Sequence, residues 1–363
     1  MAIKHLELFA GIGGFRKALD LLKDDCGLMT DSIGFSEIDQ HAIRTYKANF
    51  CTKNEIEVGD IVSFVSDKTG VERLPDFNLL TGGFPCQAFS MMGKKKGFDD
   101  VRGNVFFQIM DIASAKKPDF LLLENVRNLV SHNKGETLEV VLDSIRKAGY
   151  KSVHHDVFNT KDFGLAQNRN RVFIFASRKE LPKEFVFTSK AVTDNFSKVL
   201  VKSSLMKQGS TVCVLEKEVE NKYYLSETIK PTILANGSKN FKSKSEIDQD
   251  IARPLTATMA KMHRACQDNY FSNEYILSGG TEKPGKNLTK QELAKRKIRK
   301  LTPREAFMLQ GFSEAFLKKA KDAGVSNTQL YKQAGNAVSV NAAYAILHYL
   351  FVDQKVGGSK VYV

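Results

Sequence analysis

The sequence has few cysteines, and their spacing excludes the common cysteine-based architectures. This 363-residue chain has five of them, Cys26, Cys51, Cys86, Cys213 and Cys266. They form no Cys-x-x-Cys pair and no even set, which argues against a disulfide framework and against a structural zinc site. We therefore expect free thiols in a reducing compartment and no bound metal.

Long apolar runs are missing as well. No segment approaches the length that spans a bilayer, no charged-then-apolar leader is present, and the chain has no internal repeat. These absences favour a soluble, cytoplasmic protein without a membrane partner.

Positive charge is what the chain has in excess. It contains 54 Lys+Arg against 41 Asp+Glu, a formal net charge of +13. Such a balance suits a polyanionic partner, above all nucleic acid. Charge alone does not separate a nucleic-acid-binding protein from a generally basic cytoplasmic one, so the motifs must decide.

A glycine turn follows the first apolar segment. His5–Phe9 predicts a strand, residues 10–14 a turn, and Phe15–Leu22 a helix, which is how a doubly wound α/β sheet begins. Arg16 stands where a dinucleotide fingerprint requires glycine, and this disfavours a nicotinamide dehydrogenase. The turn still predicts a ligand close to the backbone, where a helix N-terminus favours a carboxylate as well as a phosphate.

Acidic residues end the next two predicted strands. Glu37 follows the segment Ser32–Ser36 and is placed to accept hydrogen bonds from ribose hydroxyls. Asp60, in the segment Gly59–Ile61, suits an adenine amino group. The alternative for either carboxylate is a helix cap or a solvated acid. Together the two residues predict an adenosine-bearing ligand that need not carry phosphates.

Cys86 follows an apolar strand that ends in two glycines and a Phe-Pro pair. The apolar strand that begins at Leu79, the tight exit that Gly82 and Gly83 permit, and the fixed φ of Pro85 predict a thiol on a rigid rim, which makes Cys86 a candidate nucleophile. The alternative is a small buried hydrophobe, as most free cysteines are. Residues 91–103 contain three glycines and three successive lysines and predict a basic lid.

A second apolar strand, Asp119–Val126, ends in Glu124. In open α/β sheets ligands bind at such strand ends, so Glu124 is either a proton-donating acid or a salt-bridged structural group. Arg169 and Arg171 alternate at the start of a further strand, which predicts that both side chains lie on one face. They are either surface charge or partners of Glu124 or of a substrate carbonyl or phosphate.

The composition changes after residue 188. From about Ser189 to Lys300 the chain is rich in Ser, Lys and Asn, with short β-like pieces at Thr211–Leu215 and Lys222–Leu225. We expect an α/β fold with a doubly wound, mostly parallel sheet in residues 1–188. A smaller, irregular, β-rich domain is expected in residues 189–323, and residues 324–363 are expected to return to the first domain. Thr302 before Pro303 predicts a helix start.

These motifs, in this order, resemble those of DNA (cytosine-5) methyltransferases of the prokaryotic restriction-modification type. Each is weak singly, but six in series are highly specific. The stretches that carry the resemblance are Phe9–Gly13, Pro85–Gln87, Glu124–Val126, Gln167–Arg171, Arg304–Glu305 and Gly335–Asn336. The resemblance implies a methyltransferase fold and a monomer that acts on duplex DNA in the cytoplasm, associated with the nucleoid. It also implies either a cognate restriction endonuclease or an orphan or phage enzyme.

The resemblance further implies S-adenosylmethionine as the methyl donor. The residues implied to bind it are Phe9, Ala10, Gly11, Ile12, Gly13, Gly14, Glu37, Ile38, Asp60, Ile61, Asn336 and Ala337. Many relatives carry an aromatic residue where this chain has Ile38. Adenine packing is therefore expected to be looser, or to be supplied by Ile61.

The family's chemistry assigns roles to four residues. The Cys86 thiolate adds to C6 of a cytosine flipped out of the duplex, and C5 then attacks the methyl group. Glu124, protonated or sharing its proton, bonds N3 and the exocyclic amine, while Arg169 and Arg171 hold O2 and Glu124.

The DNA contacts implied by the resemblance lie in the basic lid and in the variable domain. They are Ser90, Lys94, Lys95, Lys96, Arg102, Thr256 and Arg264. Two alternatives stay open at this point: a tRNA cytosine-5 methyltransferase of the same family, and a DNA-binding protein with an inactive methyltransferase fold.

Overall fold

The computed structural model describes residues 2–67, 69–85, 105–199, 203–238 and 240–358. The chain divides into two compact units. The first unit comprises Met1–Asn159, Asn170–Leu205 and Val338–Val363, and the second comprises Thr160–Arg169 and Met206–Ala337. In the part of the chain that the structure describes, no helix is long and apolar enough to cross a bilayer.

A seven-stranded sheet forms the centre of the first unit. Its strands are β1 (Ile3–Leu8), β2 (Thr30–Phe35), β3 (Ile56–Glu57), β4 (Leu79–Gly83), β5 (Phe120–Val126), β6 (Ser152–Asn159) and β7 (Asn170–Ser177). They lie in the order β3-β2-β1-β4-β5-β7-β6, and β7 runs antiparallel to both of its neighbours. The remaining pairs are parallel, which confirms the predicted α/β class with a mostly parallel sheet.

Helices connect the strands of the first unit. They are α1 (Gly14–Cys26), α2 (Gln40–Asn49), α3 (Ile61–Ser66), α4 (Val105–Lys116), α5 (Glu136–Lys147), α6 (Ser189–Val199) and the C-terminal helix Val340–His348, which runs on into a π-helical turn, Tyr349–Asp353. The strands β1, β4 and β5 are almost wholly buried, because helices flank a parallel sheet.

The strand register brings several chain segments to one edge of the sheet. Leu8 of β1 pairs with Gly82 of β4, and Gly83 pairs with Glu124 of β5. Because these strands are parallel, their carboxyl ends lie at the same edge. The glycine turn, the residues after β4 and the Glu124 carboxylate therefore emerge side by side.

The C-terminal helix belongs to the first unit, whereas residues 324–337, which the sequence analysis assigned to the same returning segment, belong to the second unit. Tyr344 of this helix donates a hydrogen bond of 2.9 Å to Asp25 at the end of α1. Phe196 of α6 lies against the Tyr344 ring, with centroids 6.4 Å apart. The first unit thus includes residues 189–205, although the change in composition placed a domain boundary at residue 189. The physical reason is that α6 buries Val192 and Phe196 against the first unit.

Short helices dominate the second unit. They are Lys230–Leu234, Asn273–Leu277, Pro284–Asn287, Lys290–Ala294, Pro303–Leu309, Glu314–Asp322 and Asn327–Asn336. Two small antiparallel sheets pair Gly237–Ser238 with Phe241–Lys242, and Tyr270–Ser272 with Ile298–Lys300.

The short strands predicted early in the second unit are wrong in detail. Residues Thr211–Cys213 and Asn221–Tyr223 form single 3₁₀ turns, in which the N–H of Val214 bonds the carbonyl of Thr211 and the N–H of Tyr224 that of Asn221. In the described residues 211–225, pairing with another strand is limited to Tyr224 and Leu225, which bond to the strand Ile298–Lys300. The helix start at Thr302 is confirmed. Its hydroxyl accepts from the backbone N–H of Glu305, whose carboxylate accepts from the backbone N–H of Thr302.

Candidate active site

The glycine turn after β1 has one packed side and one open side. Phe9, Gly11 and Gly13 have φ angles of 52°, 55° and 84°, a left-handed conformation that favours glycine. A Cβ on Gly13 would overlap the Phe50 ring, whereas a Cβ on Gly11 would meet no atom within 4 Å. The turn therefore leaves space beside Gly11, where a ligand can approach the backbone.

Glu37 joins the second strand end to this turn. Its Oε2 accepts a 2.8 Å hydrogen bond from the backbone N–H of Gly11, and its Oε1 accepts from the N–H groups of Ile38 and Asp39 at 2.8 and 2.9 Å. Three backbone donors fix the carboxylate, and its other lone pairs are still able to accept from ligand hydroxyls.

The side chains expected around an adenine differ in accessibility. Ile38 is 70% exposed beside Glu37, whereas Ile61 is 2% exposed and packs in the apolar core. Ile38 is therefore the accessible isoleucine. Asp60 follows β3 by three residues and caps α3, because it accepts from the N–H of Val62 at 3.1 Å. It is not the strand-end acid that the sequence predicted.

The other residues of the turn are placed by backbone contacts. Ala10 donates a 2.8 Å hydrogen bond from its N–H to the carbonyl of Ser36. The side chain of Ile12 is buried, and Gly14 begins α1. A ligand beside Gly11 would thus meet peptide groups rather than long side chains. This open turn, the fixed carboxylate and the exposed apolar Ile38 fit an adenosine-bearing methyl donor.

Glu7 is a buried acid beneath the glycine turn that sequence reasoning missed. Its carboxyl accepts from the N–H of Phe15 at 3.2 Å and from the Tyr46 hydroxyl at 3.4 Å. Burial raises the pKa of Glu7 to about 8, although the charge of Arg16 opposes the rise. The signal that could have revealed it is an acidic residue inside an otherwise buried strand.

Glu124 lies at the end of β5 as half of an ion pair. Its Oε1 is 2.9 Å from Nε of Arg171, and the two side chains are 11% and 19% exposed. The register explains the contact, because Arg171 pairs with Val126 on the adjacent strand β7. A carboxylate at the rim is thereby held in one orientation while remaining reachable from solvent.

Asn125, next to Glu124, ties the end of β4 to β5. Its amide Nδ2 donates to the carbonyl of Phe84 at 2.9 Å, and its Oδ1 accepts from the N–H of Val126 at 2.8 Å. Phe84, which is two residues before the predicted nucleophile Cys86, is therefore anchored to the strand that carries Glu124. The sequence showed Asn125 at a strand end but did not reveal this role.

Arg169 and Arg171 do not share a strand face. The strand β7 begins at Asn170, so the alternation expected of a strand does not extend to Arg169. Arg169 belongs to the second unit and is buried. Its guanidinium donates to the carbonyl groups of Leu255, Gly335 and Ala337 at 2.9, 2.9 and 3.1 Å.

The remaining predicted site residues of the second unit have mostly structural contacts. Asn336 is the exposed last residue of the helix Asn327–Asn336, and Ala337 is buried. Thr256 is partly exposed, with its hydroxyl 3.4 Å from Oδ1 of Asp268. Arg264 donates to the carbonyl groups of Thr232 and Gly237 at 3.2 and 3.4 Å, so it links its loop to the helix Lys230–Leu234 and the strand that follows.

Six predicted site residues lie outside the described residues. They are Cys86, Ser90, Lys94, Lys95, Lys96 and Arg102. Pro85, the residue before Cys86, is exposed. Within the described ranges, no group of three histidine, cysteine, aspartate or glutamate side chains is arranged to hold a metal ion.

Comparison with known proteins identifies the family to which the chain belongs. The model of the family described as C-5 cytosine-specific DNA methylase matches residues 3–351. The chain belongs to this family. It is a DNA (cytosine-5) methyltransferase of the prokaryotic restriction-modification type, and the family and fold imply S-adenosylmethionine as methyl donor.

Curated relatives of this methyltransferase include bacterial modification enzymes. The type II methyltransferase M1.ScrFI of Lactococcus lactis subsp. cremoris is 37% identical over 94% of this chain and 76% of its own length. M.HhaI of Haemophilus parahaemolyticus is 32% identical over 95% of this chain and 93% of its own length. The orphan methyltransferase M.SPRI of Bacillus phage SPR is 28% identical over 95% of this chain and 96% of its own.

Solved structures share the fold of the methyltransferase. The methyltransferase EhMeth of Entamoeba histolytica superposes with a TM-score of 0.71, at 19% identity over 97% of this chain and 99% of its own. The Dnmt2 methyltransferase of S. pombe gives a TM-score of 0.68, at 18% identity over 97% and 99%.

Proposed function

We propose that this enzyme methylates C5 of a cytosine flipped out of a short, specific duplex DNA sequence, through a covalent bond between Cys86 and C6. The observation that carries the proposal is the Glu124–Arg171 pair at the end of β5, held beside the β4 end that leads directly into Cys86. Addition to a pyrimidine requires an acid, a cation and a thiol, and the proposal takes the first two from Glu124 and Arg171 and the thiol from Cys86.

Glu124 bonds N3 and the exocyclic amine of the flipped base in this proposal. Its position suits the task, because Arg171 engages Oε1 while Oε2 is on the side of Gly83. Arg171 fixes the carboxyl group in the plane that the base must enter. Charge that develops on the ring as the Cys86 sulfur adds to C6 is then stabilised by a group already in place.

The residues of the glycine turn hold S-adenosylmethionine in the same proposal. This donor supplies a methyl group on a positively charged sulfur. Glu37 accepts hydrogen bonds from the ribose hydroxyls, the peptide groups around Gly11 approach the amino-acid part, and Ile38 covers one face of the adenine. Asn336 and Ala337 are assigned to the same ligand from the family resemblance.

The second unit reads the DNA sequence in this proposal, with Thr256 and Arg264 among its DNA contacts. Ser90, Lys94, Lys95, Lys96 and Arg102 contact the DNA from the basic lid. The predicted role of Arg169 in holding the base is not retained, because its guanidinium is buried and donates to three backbone carbonyl groups. The relatives include both restriction-modification enzymes and orphan phage enzymes, so either biological setting is consistent with the proposal. We assign the enzyme to the cytoplasm as a monomer, next to the nucleoid.

Transfer of labelled methyl groups tests the proposal. The full chain should transfer label from S-adenosylmethionine to duplex DNA, and Cys86→Ala should abolish transfer. The matched control Cys213→Ala changes an exposed cysteine of the second unit and should leave the rate unchanged. Duplexes with 5-fluorocytosine should trap a covalent complex with the parent chain but not with Cys86→Ala. Full activity of Cys86→Ala would refute the proposed nucleophile.

The nucleic acid substrate is decided by offering both polymers. Duplex DNA and tRNA should be presented at equal nucleotide concentration, and we expect label in DNA alone. Bisulfite sequencing of DNA from a naive host that expresses the chain should then reveal methylcytosine in one short motif. Label in tRNA alone would establish the alternative substrate, and marks at random cytosines would refute sequence specificity.

A further inference from the structure

Val338 differs from its neighbours in the chain by its exposure. In residues 337–351, all of which the structure describes, every residue is buried except Val338, which is partly exposed. It precedes Ser339, the N-cap residue of the C-terminal helix, and it belongs to the first unit. Single exposed apolar residues are common, so the surroundings of Val338 must show whether its exposure serves a function.

Two glycines place Val338 between the glycine turn and the end of β4. A Cβ on Gly14, the first residue of α1, would be 2.5 Å from the carbonyl oxygen of Val338 and 2.9 Å from its Cβ. A Cβ on Gly83 would be 3.5 Å from Cγ2 of Val338. Because neither glycine has a side chain, Val338 approaches both backbone segments closely.

The carboxylate of Glu124 lies beside the same glycine. The Cβ on Gly83 would also be 3.2 Å from Oε2 of Glu124, so this oxygen and the γ2 methyl group of Val338 both lie close to the end of β4. Val338 is therefore in contact with the turn that is assigned to the methyl donor and is near the carboxylate that is assigned to the base.

We propose that Val338 is a specificity-determining residue whose side chain lines the donor site on the side of the base, where it admits a methyl group on the donor sulfur but not a larger alkyl group. This inference rests on the proposed function, from which it takes the positions of donor and base. A methyl group that passes from the glycine turn to a base at Glu124 travels past Val338.

A valine suits this position for two reasons. Its branched Cβ restricts the side chain to few rotamers, so the γ methyl groups keep fixed places and set a limit on size. An apolar side chain also presents no nucleophile that the reactive methyl group could alkylate.

The backbone that carries Val338 is anchored along α1. Val338 is in contact with Gly14 at the start of α1, and Tyr344 donates a 2.9 Å hydrogen bond to Asp25 in its last turn. Val340, between these two contacts, is buried. Because a packed interior yields little, Val338 cannot retreat from a larger group on the donor without disturbing these contacts.

Equilibrium binding of two donors to the full chain tests the proposal without catalysis. Isothermal titration calorimetry compares S-adenosylmethionine with S-adenosylethionine, which carries an ethyl group in place of the methyl group. One additional methylene in an apolar pocket costs about tenfold or more in affinity, so the parent chain should bind the ethyl donor at least about tenfold more weakly. Val338→Ala should reduce this ratio to less than about threefold, mainly through tighter binding of the ethyl donor.

Two further variants separate this role from a general effect on the fold. Val352→Ala removes the same atoms from a partly exposed valine of the π-helical turn and should keep the ratio of the parent chain. Val338→Ile enlarges the side chain and should raise the ratio, so it decides the matter if Val338→Ala does not fold.

The outcomes distinguish this inference from the function on which it rests. Equal affinities of the parent chain for the two donors, or a ratio that neither change at Val338 alters, would overturn the role of Val338 and leave the proposed methyl transfer standing. Binding of neither donor to the parent chain would refute the proposed function, and this inference with it.

Discussion

One arginine–glutamate pair in the first unit and one in the second differ in what surrounds them. In the first unit Glu124 and Arg171 are 2.9 Å apart at the sheet rim, with side chains 11% and 19% exposed. In the second unit Arg299 and Glu305 are 2.6 Å apart, and both side chains are 0% exposed. The ionic chemistry is the same, so the difference in function must come from the environment.

The buried pair is closed because its carboxylate oxygens are engaged on all sides. Glu305 accepts from both terminal nitrogens of Arg299, from the N–H of Glu216 at 2.7 Å and from the N–H of Thr302 at 2.7 Å. A buried charge requires this degree of compensation. Glu124 instead has Oε2 beside Gly83, and its side chain is 11% exposed rather than fully buried. We therefore expect the Glu124 carboxylate to be more available to a ligand than the Glu305 carboxylate, whose oxygens already accept four hydrogen bonds.

Breaking the buried pair should have the largest effect. Glu305→Ala leaves the Arg299 charge buried and unpaired, so we expect the free energy of unfolding to fall by about 3–5 kcal/mol. Urea unfolding followed by circular dichroism measures this. The matched control is Glu292→Ala, which removes the same capping box from an exposed helix start and should cost about 1 kcal/mol. Equal losses in the two variants would show that the buried ion pair adds nothing beyond capping.

Breaking the rim pair should affect catalysis rather than stability. Glu124→Gln keeps the shape of the side chain but removes its charge and its acidic proton, so kcat should fall about a hundredfold or more, roughly 3 kcal/mol in activation free energy. Labelled methyl transfer and urea unfolding should be measured on the same preparation. Glu139→Gln, on the exposed face of α5, serves as the control. A loss of stability equal to that of Glu305→Ala would assign Glu124 a structural role.

Glu7 extends the comparison to a buried carboxyl group whose hydrogen-bond partners are uncharged. They are the N–H of Phe15 and the hydroxyl of Tyr46. Burial raises the pKa of Glu7 to about 8 in the folded chain, against 4.5 for a glutamate in water, so between these pH values the unfolded chain releases a proton that the folded chain keeps. The free energy of unfolding therefore decreases as pH rises through this window. Glu7→Gln should abolish that decrease and should be more stable than the parent at pH 8 by at least about 2 kcal/mol.

Unfolding in urea at pH 5 and pH 8 measures the effect of Glu7. At pH 5 the two chains should differ little, because the Glu7 carboxyl is protonated in the folded state and a glutamine keeps the same hydrogen bonds. If the parent became more stable relative to Glu7→Gln between pH 5 and pH 8, the raised pKa of Glu7 would be contradicted.

Gly83→Ala should have the smallest effect. A Cβ at this position would be 3.2 Å from Oε2 of Glu124, so the carboxylate must shift by a few tenths of an ångström. We expect kcat to fall severalfold, about 1 kcal/mol, with little change in the KM for DNA. Steady-state kinetics at saturating donor gives both constants. Unchanged kinetics would mean that the position of the second oxygen is not critical.

The sequence predicted the elements whose signal is local. The strands β4 and β5 begin with apolar runs, and β1 leads into a glycine turn. The predicted ends of β1 and β5 differ from the observed ones by at most two residues. The helix start at Thr302 was equally readable, because a capping box is a short-range pattern. Glu124 at a strand end followed from the same reasoning.

What the sequence could not predict depends on long-range partners. Arg169 and Arg171 are two residues apart, yet one donates to carbonyl groups of the second unit and the other to Glu124. The amide of Asn125 binds Phe84, which is 41 residues away. The helix α6 has the composition of a linker, but its apolar residues lie on one face. This face is buried, and the helix therefore belongs to the first unit. Such contacts exist only once the sheet has formed.

The interrupted chain path of the first unit has a consequence for synthesis on the ribosome. The unit needs residues 338–358 to complete its packing, because Tyr344 and its neighbours cover the end of α1, and these residues are translated after the entire second unit. A nascent chain that has reached residue 337 still exposes the apolar surface that the C-terminal helix will cover. Methyl transfer must therefore wait for complete polypeptides, and premature termination would yield a chain prone to aggregate rather than a slower enzyme.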